Sequence, residues 1–265
     1  MNKLNSVSHW YGRLGNNIQQ ICNGILHSEV TGQGFFAPDH ELINRVIVNY
    51  TGQQMLNPPN RYFHYNTQNK DFDIDLGFLF SNMRRVARQH IVPNFKFSVG
   101  LPYDDDTLVI HVRSGDIFAH EHNPPHDYTP NPLCYYVNLI ESFKKVIVVT
   151  ENDNYNPIIP ELKKYDNVTV KSSTVASDFA TLMRAKNLAS SGTGTFAVAA
   201  ALCSSNIKNF YCSNIYLTEH LNPEILMASG INVLMMEFKG YLESKTWRND
   251  EEQRKFILEY CNESI

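Results

Sequence analysis

The sequence predicts an α/β protein, and two observations carry that prediction. From Thr107 onward short apolar runs alternate with helical patterns, which indicates a parallel sheet covered on both faces. Near the start, an expected strand leads through a glycine-bearing turn into a helix. The chain has 265 residues, 43% hydrophobic and 19% charged, enough for one large packed domain or two smaller ones and not compositionally disordered.

The elements read as follows. A strand is expected over about Leu4–Trp10, then a turn, Gly12-Arg13-Leu14-Gly15-Asn16-Asn17, then a helix over about Asn16–Glu29. The glycines permit close backbone approach, Asn16 suits the cap, and the helix start offers free N–H groups to an anion. Short β-like pieces follow at Gly34–Ala37, Arg45–Asn49 and Arg61–His64, then a helical pattern carrying Arg84, Arg85 and Arg88, whose plain reading is a solvated face. Pro93 to Asp106, with two prolines and three successive Asp, reads as a linker. This divides the chain into 1–100, 101–246 and a final segment, 247–265.

Beyond the linker, strands are expected at Leu108–Val112, Val146–Thr150, Val168–Val170, Asn187–Ser190, Ile207–Cys212 and Ile231–Glu237. Helices are expected at Leu133–Lys144, Ile158–Lys164, from a Ser177 cap to Ala185, and at Thr195–Ser204. A long loop should run from the first of these strands to about Pro132. The last helix, Asp250–Cys261, is expected to cross back to the first domain.

The strand Leu108–Val112 runs straight into His111, Arg113, Ser114, Gly115 and Asp116. In open α/β sheets ligands bind at the carboxyl ends of the strands, and a planar guanidinium there can grip two phosphate oxygens. Arg113 is thus a candidate clamp for a diphosphate; the plain alternative is a structural Arg113–Asp116 ion pair and a hydrogen-bonded His111. A second cluster, Ser190-Ser191-Gly192-Thr193-Gly194-Thr195-Phe196, leaves a strand and opens a helix, so its hydroxyls and N–H groups suit a phosphate. It lacks the Lys of a Walker A loop and the dinucleotide fingerprint. Ser172, Ser173 and Thr174 with Asp178 are placed to reach a ribose or base; alternatively Asp178 only complements a helix dipole. His120, His122, His126 and Asp127 share a loop with no strong metal-ligand motif. No G-x-S-x-G or H-E-x-x-H occurs, which argues against a serine hydrolase and a zinc protease.

The net charge of −4 argues against bulk electrostatic binding of nucleic acid or anionic membrane. The first 20 residues lack a signal-peptide core and no window reads as a membrane span, so a cytoplasmic location is expected. The five cysteines form no C-x-x-C pair and read as free thiols, one disulfide staying open; the sequons at Asn49, Asn167 and Asn262 then carry little meaning.

Together these clusters resemble a known family. His111-Val112-Arg113-Ser114-Gly115-Asp116 resembles the H-x-R-x-x-D signature of the fucosyltransferase superfamily. The Gly12–Asn17 turn resembles its glycine-rich N-terminal motif, and Asp178 with Ser191–Phe196 resembles its S-x-x-S-T-F-like region, Gly194 replacing a Ser. Pro125-His126-Asp127-Tyr128 and Tyr135-Tyr136 are similar to small glycosyltransferases with an H-x-R-S-G-D-I-F sequence. Many relatives have a second Arg where this chain has Ser114.

The resemblance implies a GT-B-like fold, two Rossmann-like domains facing across a cleft. It implies inverting, metal-independent transfer of a sugar from a nucleotide-sugar to a glycan, with no cofactor. The donor is GDP-fucose or, given Ser114, a UDP-sugar such as UDP-xylose. Arg113 would hold the diphosphate, Thr195 and Phe196 would lie by the phosphates, Asp178 by the base or ribose, and Gly12, Arg13, Asn16 and Asn17 would line the cleft; Gly15, His111, Ser172, Ser191, Gly192, Thr193 and Gly194 complete the expected binding set. An inverting transfer needs a base for the acceptor hydroxyl. Asp116 is the first choice and Asp39 or His40 the second. Two other classes stay open: a non-catalytic glycan-binding module on a transferase scaffold, and a nucleotide-binding hydrolase.

Overall fold

A computed structural model describes residues 4–49, 61–62, 74–119 and 128–260. It has two sheets. The first contains β1 (Leu4–Ser6), β2 (Gly34–Ala37), β3 (Val46–Val48) and β4 (Arg61–Tyr62) in the order β3-β2-β1-β4. β1 runs parallel to β2 and β4, and β3 is antiparallel to β2. Helix α1 (Leu14–Thr31) follows β1, and α2 (Leu76–Val86) continues into a π-helical turn, Ala87–Ile91, and a 3-10 turn, Val92–Asn94.

The second sheet contains β5 (Thr107–His111), β6 (Lys145–Val149), β7 (Val168–Lys171), β8 (Asn187–Ala189), β9 (Asn209–Ser213) and β10 (Asn232–Met236), all parallel. Between them run α3 (Asp116–Ala119), α4 (Leu133–Ile140), α5 (Ile158–Leu162), α6 (Val175–Met183), α7 (Phe196–Cys203) and α8 (Pro223–Ala228), with α9 (Glu251–Glu259) last. The strand order is β10-β9-β8-β5-β6-β7. The chain thus enters in the middle, winds to one edge, then crosses to the other half: a doubly wound, Rossmann-like order whose switch point lies between β5 and β8.

Strict alternation builds this sheet. Leu108 and Ile110 of β5 and Val146 and Val148 of β6 join one apolar cluster, with Tyr135, Tyr136 and Trp247. Val109, Ile147 and Val149 face the opposite cluster. That second cluster also contains Ile18, Ile21, Ile25 and Leu26 of α1, Leu79 and Met83 of α2, and Ala197 to Cys203 of α7. One apolar layer therefore joins both sheets. Each fully buried aliphatic side chain in it contributes about 1.5–3 kcal/mol. The small residues of α7 let α1 and α6 pack closely against it.

Several expectations need correction. Pro93–Asp106 is not a loose linker: Phe95 stacks on Phe97 at 4.6 Å, both meet Phe179, and Tyr103 lies under the Arg184 guanidinium at 4.1 Å. Its aromatic residues strap it to the core. The α6 cap is Thr174, whose hydroxyl accepts from Ser177 N at 3.3 Å, so Ser177 lies inside the helix. Helix α9 does not turn toward the first sheet; it packs on α4, and its Ile257 is buried with Trp247 and Tyr241. Helix α8 was missed, although Asn222-Pro223-Glu224 carries a cap, with Asn222 Oδ1 accepting from Glu224 N at 2.9 Å. Short α3 interrupts the expected long loop, whose residues 120–127 lie outside the described residues. So does half of the β-like piece at Arg61–His64, the part beyond the two residues of β4. Cys22, Cys203 and Cys212 are free thiols, and Cys261 lies outside the described residues. Among the described residues no helix is long and apolar enough to cross a membrane.

Gly15 is where the halves come closest. A Cβ there would lie 2.5 Å from Thr195 Oγ1 and 2.8 Å from the Thr195 carbonyl carbon. Backbone cannot yield as a side-chain end can. Gly15→Ala should therefore cost about 1–3 kcal/mol of stability, measured by urea unfolding. Wild-type stability in that variant would show that the approach is not tight.

Candidate functional site

Sheet register brings the site together. His111 of β5 pairs with Val149 of β6, and Ile110 pairs with Ala189 of β8. The residues immediately beyond, Arg113, Thr150, Glu151 and Ser190 to Phe196, therefore emerge at one edge, on either side of the switch point. The first sheet presents its own carboxyl edge there through the Gly12–Gly15 turn. The result is a cleft of about 340 Å³ lined from both sheets, by Gly12, Arg13, Gly15 and His40 on one side and Arg113, Glu151, Asp178 and Thr195 on the other. The first turns of α1, α6 and α7 all contribute to its wall. Helix N-termini carry partial positive charge and unpaired N–H groups, so this cleft favours an anion.

Arg113 lies deep in it, its side chain 22% exposed. Its Nη2 donates to Asp116 Oδ1 at 2.8 Å and Oδ2 at 3.0 Å, and its guanidinium carbon lies 5.1 Å from the Tyr128 ring centroid. Its buried Nε–H has no hydrogen-bond partner among the described residues. Burial opposes the charge, but Tyr128, Asp116 and Glu151 outweigh it and the guanidinium's pKa is raised. The backbone is pinned as well, since Asn156 Nδ2 donates to Arg113 O at 2.8 Å. Thr150 Oγ1, in the same wall, is also buried without a partner among the described residues.

Glu151 and Arg13 join the two halves across the cleft. Arg13 Nη1 donates to Glu151 Oε1 at 3.0 Å, and Arg13 Nη2 lies 3.4 Å from Asp116 Oδ1. Glu151 Oε2 accepts from Ser114 N at 2.7 Å, while Asp153 accepts from Ser114 Oγ at 2.5 Å and Gly115 N at 2.9 Å. These carboxylates shape the turn that carries Arg113. Glu151 is a site residue that the sequence reading missed; its signal was an acid directly after a buried strand, at the same edge as Arg113.

The expected residues divide into two groups. Gly12, Arg13, Gly15, Asn17, His111, Arg113, Asp178, Gly194, Thr195 and Phe196 line the cleft. Asn16 does not cap α1; its Oδ1 accepts from Thr195 Oγ1 at 2.7 Å and ties the two glycine turns together. Asn17 is buried and donates to Tyr11 O at 2.9 Å. Ser191 lies beneath the cleft, bonded to His111 Nδ1 at 3.2 Å and to Tyr128. Gly192 and Thr193 are tucked against Thr129, and a Cβ on Gly192, at φ +87, would meet Thr129 O at 2.7 Å. Ser172 is exposed and outside the cleft wall. Asp39 is outside it too, because its carboxylate accepts from Arg45 N at 3.1 Å and pairs with the Arg45 side chain at 3.7 Å. His40 does line the cleft, but its Nδ1 accepts from Leu42 N at 3.1 Å, so the neutral ring carries its proton on Nε2 and presents a donor.

Comparison with models of known protein families and with curated proteins matches nothing to this chain. Among the described residues no group of three or more His, Cys, Asp or Glu is arranged to hold a metal ion. His120, His122, His126 and Asp127, and the Pro125–Asp127 part of the resembling tract, lie outside the described residues.

Burial pushes the His111 imidazole down to about 4, with Glu151 opposing and Arg113 and Arg13 assisting. Its ring packs on Phe196 at 5.1 Å, so it is a neutral wedge beneath the phosphate-side turn. Below pH 6.5 the unfolded chain takes up a proton that the folded histidine refuses until about pH 4. Stability should fall as the pH drops through that window, because the unfolded chain then binds the extra proton. The stability difference between wild type and His111→Asn, from urea unfolding, should stay flat above pH 7 and narrow below pH 6.5. A constant difference from pH 7 to pH 5 would contradict a buried neutral ring.

Proposed function

We propose that the chain is an inverting glycosyltransferase, its two sheets facing across the cleft in the GT-B arrangement suggested by the resemblance to fucosyltransferases. It moves a sugar from a nucleoside diphosphate donor, GDP-fucose or a UDP-sugar, to a glycan acceptor. The observation that carries this reading is the convergence of Arg113 with the N-terminal turns of α1, α6 and α7 on one crevice at the switch point. A diphosphate there meets a fixed cation and three helix starts at once.

In this reaction the bond between the sugar's anomeric carbon and the diphosphate oxygen breaks while the acceptor oxygen bonds to that carbon from the opposite face. Charge builds on the departing diphosphate, and Arg113, held on Asp116 and Tyr128, neutralises it without having to reorganise. Arg113 thus has the part that a divalent cation has in metal-dependent transferases, and no cofactor is needed. The acceptor's proton goes to a carboxylate. Asp116 is committed to Arg113 through both oxygens. Glu151 is committed to Arg13 and the Ser114 amide. Of the remaining carboxylates in the wall, Asp178 accepts from Ser173 N at 3.2 Å on the α6 side. Glu41 is exposed on the first-sheet side. In this reading the acceptor enters from that side, so Glu41 is the base.

Two experiments test the proposal. Titration calorimetry with GDP-fucose, GDP, UDP-xylose and UDP should detect binding of one nucleotide class, weakened at least about 100-fold by Arg113→Ala while circular dichroism stays native. No binding by wild type, or normal turnover by the variant, would remove the reading. Glu41→Gln should lower kcat by about 10²-fold or more with donor affinity unchanged; a variant with full kcat would exclude Glu41 as the base.

A further inference from the structure

Helix α7 has the cleft at its N-terminus and a second cavity at its C-terminus. This cavity measures about 590 Å³. Among the described residues no carboxylate lines it, yet Arg84, Arg85 and Arg88 do. Arg85 is satisfied by Glu29, at 2.6 and 2.9 Å. The other two guanidinium groups have no carboxylate partner among the described residues. Arg84 reaches only the carbonyls of Ser204 and Ser229, at 3.4 and 3.5 Å, and its buried Nε–H has no partner there. Arg88 is exposed, and among the described residues nothing accepts a hydrogen bond from it. Ser81, Arg84 and Arg88 share one face of α2 and the π-helical turn, at spacings that stack side chains. Burial and the neighbouring Arg88 both weigh against the Arg84 charge.

We infer that this cavity is a second binding site, for a small phosphorylated molecule. Two guanidinium groups that have no carboxylate partner among the described residues match the two negative charges of a phosphate monoester. Ser205 and Asn206 at the end of α7 add polar groups beside them, and Val92, Val99 and Met183 offer an apolar wall to the rest of the ligand. The volume exceeds what a bare phosphate needs. The site is independent of the transferase reading, because it shares no lining residue with the cleft.

The test uses the full chain carrying Arg113→Ala, which disables the cleft, labelled with nitrogen-15. Inorganic phosphate and glucose 1-phosphate are titrated separately at constant ionic strength, with chloride as the control. Both should move the amide signals of Ser205, Asn206 and Ser229 in a saturable way, glucose 1-phosphate at the lower concentration. Arg88→Glu, which removes no hydrogen bond among the described residues, should weaken both by about tenfold or more. Shifts equal to those with chloride, shifts unchanged by Arg88→Glu, or shifts confined to Gly194 and Thr195 would each overturn the assignment. Saturation by inorganic phosphate alone would overturn the phosphorylated-molecule part of it.

Discussion

Two helices point their N-termini at the same gap, and like partial charges repel. Everything at the cleft depends on how that arrangement is held. Behind the gap, α1 packs on α7 within one apolar cluster, a seam that holds Ile18, Ile21 and Cys22 together with the alanines of α7. In front, Gly15 lets the Thr195 backbone approach, and the Thr195 hydroxyl bonds to Asn16. Burial of the seam is a sum over many side chains, whereas the repulsion is confined to one turn of each helix. The seam therefore prevails, and the unfavourable field is left at the cleft, where a negative charge would relieve it.

The carboxylates follow the same logic. Arg13 pairs with both Glu151 and Asp116, and Asp116 also holds Arg113, so two cations from different halves share one anion. Arg13 is more than half exposed, and its pairs are worth little to stability on their own. Their value is positional. They hold Arg113 in one orientation, the preorganisation that the proposed transfer would require. The histidine beneath is neutral and packed, so it supports this turn without adding charge.

Helix α7 relates the two cavities. Its first turn faces the cleft and its last faces Arg84, which donates to the closing residues of both α7 and α8. A guanidinium at the C-terminal ends of two helices is favoured by their dipoles. The same guanidinium is therefore both a clip between helices and half of a cationic pair, and these roles use different N–H groups.

The second sheet could be read from the chain, because strands buried on both faces are near-continuous apolar runs, here alternating with helical patterns. Leu108–Val112 and its followers show this, and so do the glycine turns that open α1 and α7. The sequence also put Arg113 at a strand end, since a polar run after an apolar one marks where a strand leaves the sheet. It did not show that Asn16 bonds to Thr195, that Asp39 is taken by Arg45, or that Glu151 stands beside Arg13. Those pairings join residues distant along the chain, and no local preference records which partner will arrive. Nor did it show that Pro93–Asp106 is strapped down, because prolines and acids look the same in a tether as in an aromatic-anchored strap. What the sequence determined by itself was the local periodicity and the chemistry available at each strand end. Tertiary structure alone decided which of those ends met across the gap, because register and helix packing set distances that composition leaves free.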